Sequence, residues 1–145
     1  MDKKDLMIVK ELRRNARLSL TDIASLTTIP ITTVHDRLKQ HEKKWISKHT
    51  TLLDFQNMGY GGRAYLALKA EKAKRIELRN FLLHHKNVNS VYVVNYGFDL
   101  MADVVFRNIK DVESFSELLS QKYGVFETKI FHVLEELQEE EFMMK

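Results

Sequence analysis

The chain has 145 residues, 44% of them hydrophobic and 30% charged, which suits one ordinary domain or two small ones with a real core and excludes a disordered polymer. It contains no cysteine, so disulfides and thiolate chemistry are excluded, and a reducing cytoplasm fits. The net charge of +3 is uneven: residues 1–55 hold 11 Lys/Arg against 7 Asp/Glu and residues 56–145 hold 12 against 13, so a polyanionic partner is expected at the front half.

The opening MDKKDLMIVKEL has no long apolar run and no small-residue cleavage site, so no signal peptide is expected. The most apolar stretches reach about ten residues, short of the ~20 that span a membrane. From Asp2 to Arg14, Leu6, Ile8, Val9 and Leu12 follow helical spacing, with Asp2 and Asp5 at the start and Arg13, Arg14 and Arg17 at the end, as the helix dipole favours. Ser19 followed by Asp22 reads as a capping box opening a short second helix through Leu26, with Ile23, Ala24 and Leu26 facing inward. Pro30 sits where the first turn of a third helix is expected, and Ile31, Val34, Leu38 and His41 mark its inner face. Trp45–Phe55, rich in β-branched and aromatic residues, predicts a strand or wing.

Gly59, Gly61 and Gly62 mark a hinge at 56–62, between a first domain at 1–55 and a second at 63–145. Beyond it the pattern predicts strands over Ala64–Ala70, Val88–Val94, Leu100–Phe106 and Val125–Leu134. Helices are predicted over Lys72–His84 and Val112–Tyr123. The order β-α-β-β-α-β is that of a ferredoxin-like sandwich, so the fold class is α+β: a winged helix-turn-helix followed by a βαββαβ domain. The acidic tail Glu135–Glu141 reads as helical or frayed.

A helix-turn-helix with a wing places its second helix in the major groove, where side chains near that helix's N-terminus reach base edges. Here those are Thr32, Thr33, Asp36 and Arg37, with His35 alongside. Arg37 can pair with guanine or clamp a phosphate, and Asp36 can accept from cytosine or hold Arg37. Thr21, Lys39, Lys43, Lys44, Lys48 and His49 are expected to meet the phosphate backbone, adding salt-dependent affinity without sequence information. The competing reading is an ordinary soluble three-helix unit with a solvated outer face.

Segment Asn15–Ile46 resembles the helix-turn-helix of the Lrp/AsnC (feast/famine) family, with Asn15-Ala16-Arg17, Ile23-Ala24, Thr33-Val34 and Arg37-Leu38 at that family's recurrent positions. The second half is similar to the family's small-molecule-sensing module. The resemblance implies a prokaryotic, sequence-specific transcriptional regulator acting on double-stranded DNA. It also implies a homodimer paired through the α+β domain and able to form octamers, with amino-acid sensing near the turn of the central hairpin. In that turn the family's G-x-x-D pattern stands as Tyr96-Gly97-Phe98-Asp99, which makes these four the implied effector residues. Asp99 would receive an α-amino group, or else cap the turn; Tyr96, in the glycine position, would otherwise fill the pocket. Thr28 replaces the glycine usual in the helix-turn, His41 a packed leucine, and Lys44-Trp45-Ile46 a Gly-Val-Ile-like entry to the wing.

No nucleophile motif or catalytic residue presents itself, and no cofactor is expected. His84, His85 and His132 lack the spacing of metal ligands. Asp103 reads as solvent-facing or paired across the interface, in a structural role. Two alternatives stay open: an architectural protein binding DNA without sequence preference, and a tetrapyrrole-decarboxylase-like enzyme of the same architecture. The enzyme would rely on Lys48, His49, Arg63 and the helix-end histidines.

Overall fold

A computed structural model describes residues 1–145, which divide into two units: 1–52 together with 137–145, and 53–136. The first unit holds α1 (Lys3–Arg14), α2 (Leu20–Thr27) and α3 (Ile31–Lys44). Two reciprocal capping boxes start its first two helices. Asp2 and Asp5 exchange backbone-to-carboxylate hydrogen bonds of 2.9 Å each; at the second helix Ser19 N–H donates to the Asp22 carboxylate at 2.9 Å and Asp22 N–H to the Ser19 hydroxyl at 3.1 Å. Ile8, Ile23, Ile29 and Val34 form the buried centre, with Leu12, Leu18, Leu20 and Ala24 packed around it.

Some expected inward positions fail. Leu26 is 60% exposed, because the stripe running from Ile23 continues one turn later at Thr27, whose hydroxyl is satisfied by donating to the Ile23 carbonyl at 2.6 Å. Ile31 is 45% exposed in the first turn of α3, ahead of the buried Val34. Pro30 is the N-cap of α3, one place before its expected position.

The expected wing strand is not formed. Residues 46–54 carry no ladder, and the backbone N–H groups of Trp45 and Ile46 both donate to the His41 carbonyl, closing α3 instead. β-branched residues favour an extended chain, but a strand exists only with a partner, and this unit supplies none. The tail is not helical either: residues 133–139 have no regular structure and 142–144 form a turn. A helix would stack its glutamates one turn apart, whereas the irregular tail offers its carbonyls to α1. Arg13 donates to the Glu140 and Phe142 carbonyls, Arg14 to that of Met144 and Lys10 to that of Lys145. The stretch 137–145, expected in the second domain, thus groups with the first.

The second unit contains β1 (Gly62–Ala70), a 3₁₀ turn (Lys72–Lys74), α4 (Arg75–His84), β2 (Val88–Val93), β3 (Leu100–Phe106), α5 (Ile109–Lys122) and β4 (Val125–His132). The sheet order is β2-β3-β1-β4 with every pair antiparallel, which gives the ferredoxin-like βαββαβ arrangement. Alternation along β1 turns Ala64, Leu66, Leu68 and Ala70 to one face, where they meet Leu78 and Leu82 of α4 and Val112, Phe115 and Leu119 of α5. α5 begins three residues before its expected start because Asn108 caps it, accepting from the Asp111 N–H at 3.0 Å. The opposite face carries Tyr65, Ala67, Met101, Asp103 and Phe131. The expected hinge is a hydrogen-bonded turn: Met58 donates to Asp54, Gly59 to Gln56 and Tyr60 to Phe55.

Candidate nucleic-acid interface and hairpin site

α2 and α3 are joined through Thr28, Ile29 and Pro30, and Thr28 itself adopts the left-handed conformation (φ 55°) usually left to glycine. Its hydroxyl donates to the Thr27 carbonyl at 2.7 Å, so the sharp turn forms without a glycine. The turn sets α3 with Thr32, His35, Asp36 and Lys39 exposed and Thr33 half-buried. Thr21 is exposed at the start of α2, and Lys48 is exposed in the extended segment after α3. His35 Nδ1 lies 3.3 Å from Asp36 Oδ1, so these two neighbours face each other.

Arg37 behaves differently. Its Nη1 donates to Asp2 Oδ2 and to Asp5 Oδ1, both at 2.7 Å, which ties the guanidinium of α3 back to the N-terminus of α1. Asp2 and then Asp5 push its pKa above the ordinary arginine range. Beneath it His41 is buried, with Nε2 2.9 Å from the same Asp5 oxygen and its ring 4.8 Å from that of Trp45. Its Nδ1 is buried without a partner. The Asp2 backbone N–H, then His41 and Arg37, hold the Asp5 carboxyl well below the usual carboxylate range. Asp5 is therefore the shared acceptor of two residues on α3. Sequence reasoning gave it only a dipole role. The available signal was His41 standing at a core position, since a buried ring nitrogen needs a partner.

In the hairpin between β2 and β3, Tyr96 (φ 63°) and Gly97 (φ 82°) are both left-handed and Phe98 N–H donates to the Asn95 carbonyl, the pattern of a type I′ turn. Tyr96 is 95% exposed and fills no cavity in this chain. Asp99 is bonded on three sides: its N–H donates to the Leu68 carbonyl, Oδ2 accepts from the Ala70 N–H at 2.9 Å, and Oδ1 lies 3.0 Å from Arg75 Nη2. With Phe98, Arg75, Arg79, Leu78 and Val93 it lines a cleft of about 240 Å³. Phe98 and Asp99 are thus brought to one cleft, while Tyr96 and Gly97 stay outside its lining.

Asp103 is neither solvent-facing nor dependent on a second copy for its partners: it is buried and accepts from Arg63 Nε and Nη2 and from Asn89 Nδ2 of the same chain, a structural role. Arg63 also meets Glu136 at 2.9 Å. His84 donates to the Asn80 carbonyl and His85 packs between Phe81 and Phe115. No group of three or more His, Asp or Glu residues is placed to hold a metal ion.

Residues 1–40 match the AsnC-type helix-turn-helix domain, and residues 63–142 match the Lrp/AsnC ligand-binding domain. The chain belongs to the Lrp/AsnC family. It is a transcriptional regulator of that family, built from its DNA-binding helix-turn-helix and its ligand-binding domain. Among relatives, it is 28% identical to an uncharacterised HTH-type transcriptional regulator of Pyrococcus abyssi, over 100% of this chain and 99% of that protein. Its fold matches that of a transcriptional regulator from Neisseria meningitidis solved with L-methionine, at a TM-score of 0.88 and 21% identity over 96% of this chain and 93% of that one. LrpC of Bacillus subtilis gives 0.87 and 19% over 95% and 97%. No helix is long and apolar enough to cross a membrane.

Proposed function

We propose that this Lrp/AsnC protein binds specific operator sequences in cytoplasmic double-stranded DNA by laying α3 in the major groove, and that an amino acid modulates this binding. The observation that carries the reading is the exposed polar face of α3, Thr32, His35, Asp36 and Lys39, held out by a helix-turn-helix of the family type. Thr32, Thr33, His35 and Asp36 are assigned to base edges. Thr21, Lys39 and Lys48 are assigned to phosphates. Arg37, committed to Asp2 and Asp5, supports the interface by fixing α3 against α1 and reaches a phosphate only if that pair opens.

The helix-free face of the sheet, with Tyr92 and Phe131 about half exposed, suits pairing with a second copy, and a homodimer would present two α3 helices about 34–36 Å apart to a pseudo-palindromic site. Octamers would follow from further pairing of dimers. The effector is assigned to the cleft at Phe98 and Asp99, with Tyr96 and Gly97 reaching it from a neighbouring copy. An ammonium group there would compete with Arg75 for Asp99. The Neisseria relative's L-methionine supports an amino acid as the class.

The test is a salt-series titration against the protein's own promoter and an unrelated duplex of equal length, with amino acids then added singly. Preference for the promoter is expected, with amino-acid effects lost in Asp99→Ala. Equal binding to both duplexes would replace this reading with architectural binding, and effects unchanged in Asp99→Ala would remove the effector site.

A further inference from the structure

A cavity of the second unit lies at the far end of β3 from Asp99 and has no part in the reading above. It measures about 680 Å³, within the range of small-molecule sites, and is lined by Phe55, Met58, Tyr60, Lys86, Asn89 and Arg107 among others. One wall is the turn 54–60, closed by its own backbone hydrogen bonds and pinned to the end of β3 where Gly61 N–H donates to the Arg107 carbonyl at 3.2 Å. Gly62 permits this approach: a Cβ there would stand 2.4 Å from the Asn108 carbonyl oxygen. The opposite wall is the irregular start of β2, where the register slips between Val88 and Ser90 and Asn89 turns its amide nitrogen to Asp103 at 2.9 Å.

The lining selects a ligand. Lys86 and Arg107 both border the cavity and neither is ion-paired; the only carboxylate in the lining is Asp111, at the N-terminal turn of α5. Arg107 lies over the Tyr60 ring, 5.0 Å from its centroid, which seats the guanidinium on an aromatic surface while its donors stay open. The amide nitrogens of Asn87 and Asn89 are taken by Val105 O and Asp103, leaving their oxygens as acceptors. Two unpaired cations beside Phe55, Tyr60 and Met58 offer an anion a charge-assisted seat and a ring an apolar one.

We infer that this cavity is a second ligand site, distinct from the hairpin cleft, for a planar ring carrying an anionic group, with Lys86 and Arg107 holding the anion and Tyr60 and Phe55 the ring. A carboxylate or a phosphate would supply that charge. The wall that closes on it follows the first unit directly in the chain, so occupancy ties the turn 54–60 to the end of β3.

Isothermal titration of the full-length protein with phenylpyruvate and with AMP separates the two anion sources. We expect saturable binding of at least one, weakened at least tenfold in Lys86→Gln/Arg107→Gln and to a similar extent for the neutral counterpart, 3-phenylpropanol or adenosine. Both substituted residues are exposed, and circular dichroism checks that the double variant folds. Asp99→Ala is expected to bind as the parent does. Absence of saturable binding by both probes overturns the inference, as does undiminished binding by the double variant or by the neutral counterpart. Loss of binding in Asp99→Ala alone would move the ligand to the hairpin and overturn it equally.

Discussion

The two units of this regulator are held together by different means. The sheet unit rests on a continuous apolar layer in which Leu66, Leu68, Leu78, Leu82 and Leu119 are fully buried. The helix-turn-helix has only four buried aliphatic residues at its centre and adds a polar node in which Asp5 serves Arg37 and His41. Apolar burial is indifferent to pH and modest salt, whereas hydrogen-bonded charge is not. The sheet unit has buried charge as well, in the Arg63–Asp103 pair, but sets it beside a far larger apolar layer, so the part that meets DNA is the part whose stability follows the solution more closely.

Trp45, the only tryptophan, lies in the helix-turn-helix unit with its ring tilted against that of His41, so its fluorescence reports that unit separately from the whole-chain circular dichroism. The largest effect is expected from Leu66→Ala, about 2–5 kcal/mol in urea unfolding followed by circular dichroism. If the Trp45 transition shifts as far, the units unfold as one and the contrast between them fails. Next is Asp5→Ala, which leaves the His41 ring without its acceptor, reduces the Arg37 guanidinium to Asp2 alone and opens the capping box. A fall of about 5 °C or more is expected in the Trp45 melting midpoint, with weaker operator binding. An unchanged midpoint would show that the node is ornamental.

Acid titration sharpens the same point. Because the folded Asp5 carboxyl is held below its ordinary value, its contribution is complete above about pH 4 and disappears as pH falls toward the folded pKa. Asp2 and Asp22 are lowered too and act in the same direction. The Trp45 midpoint is expected to drop between about pH 4 and 2, less steeply in Asp5→Asn. The smallest effect belongs to Thr28→Gly. Relief of a left-handed threonine, worth about 1–2 kcal/mol, is offset by about 0.5–1 kcal/mol of glycine backbone entropy, leaving a slight gain in midpoint.

Periodicity and capping made most of the fold readable from sequence. Ser19 with Asp22 announced α2, and alternation placed Leu66 and Leu68 on the helix side of the sheet. What failed depended on partners. Trp45–Phe55 has strand composition, but composition cannot supply a neighbouring strand. The outward register of α3 was legible, while the return of Arg37 to Asp2 and Asp5 was not, because it depends on how α1 packs across α3, 32 residues away from Asp5 in sequence. Asp99 was legible as a turn residue through its type, and its engagement by Arg75 was not, since that pair joins a hairpin to a helix.

The return of residues 137–145 to α1 changes what a truncation means. Viewed along the chain, the sheet unit is inserted into the helical one: two covalent crossings separate them, one near residue 52 and one near residue 137. Stopping the chain at residue 52 would therefore strip Lys10, Arg13 and Arg14 of the carbonyls they hold, and with them a strap across α1. A faithful minimal DNA-binding fragment has to carry both ends of the polypeptide, for instance 1–52 joined by a short flexible link to 137–145. A single protease cut in either crossing would leave the two units still covalently joined through the other.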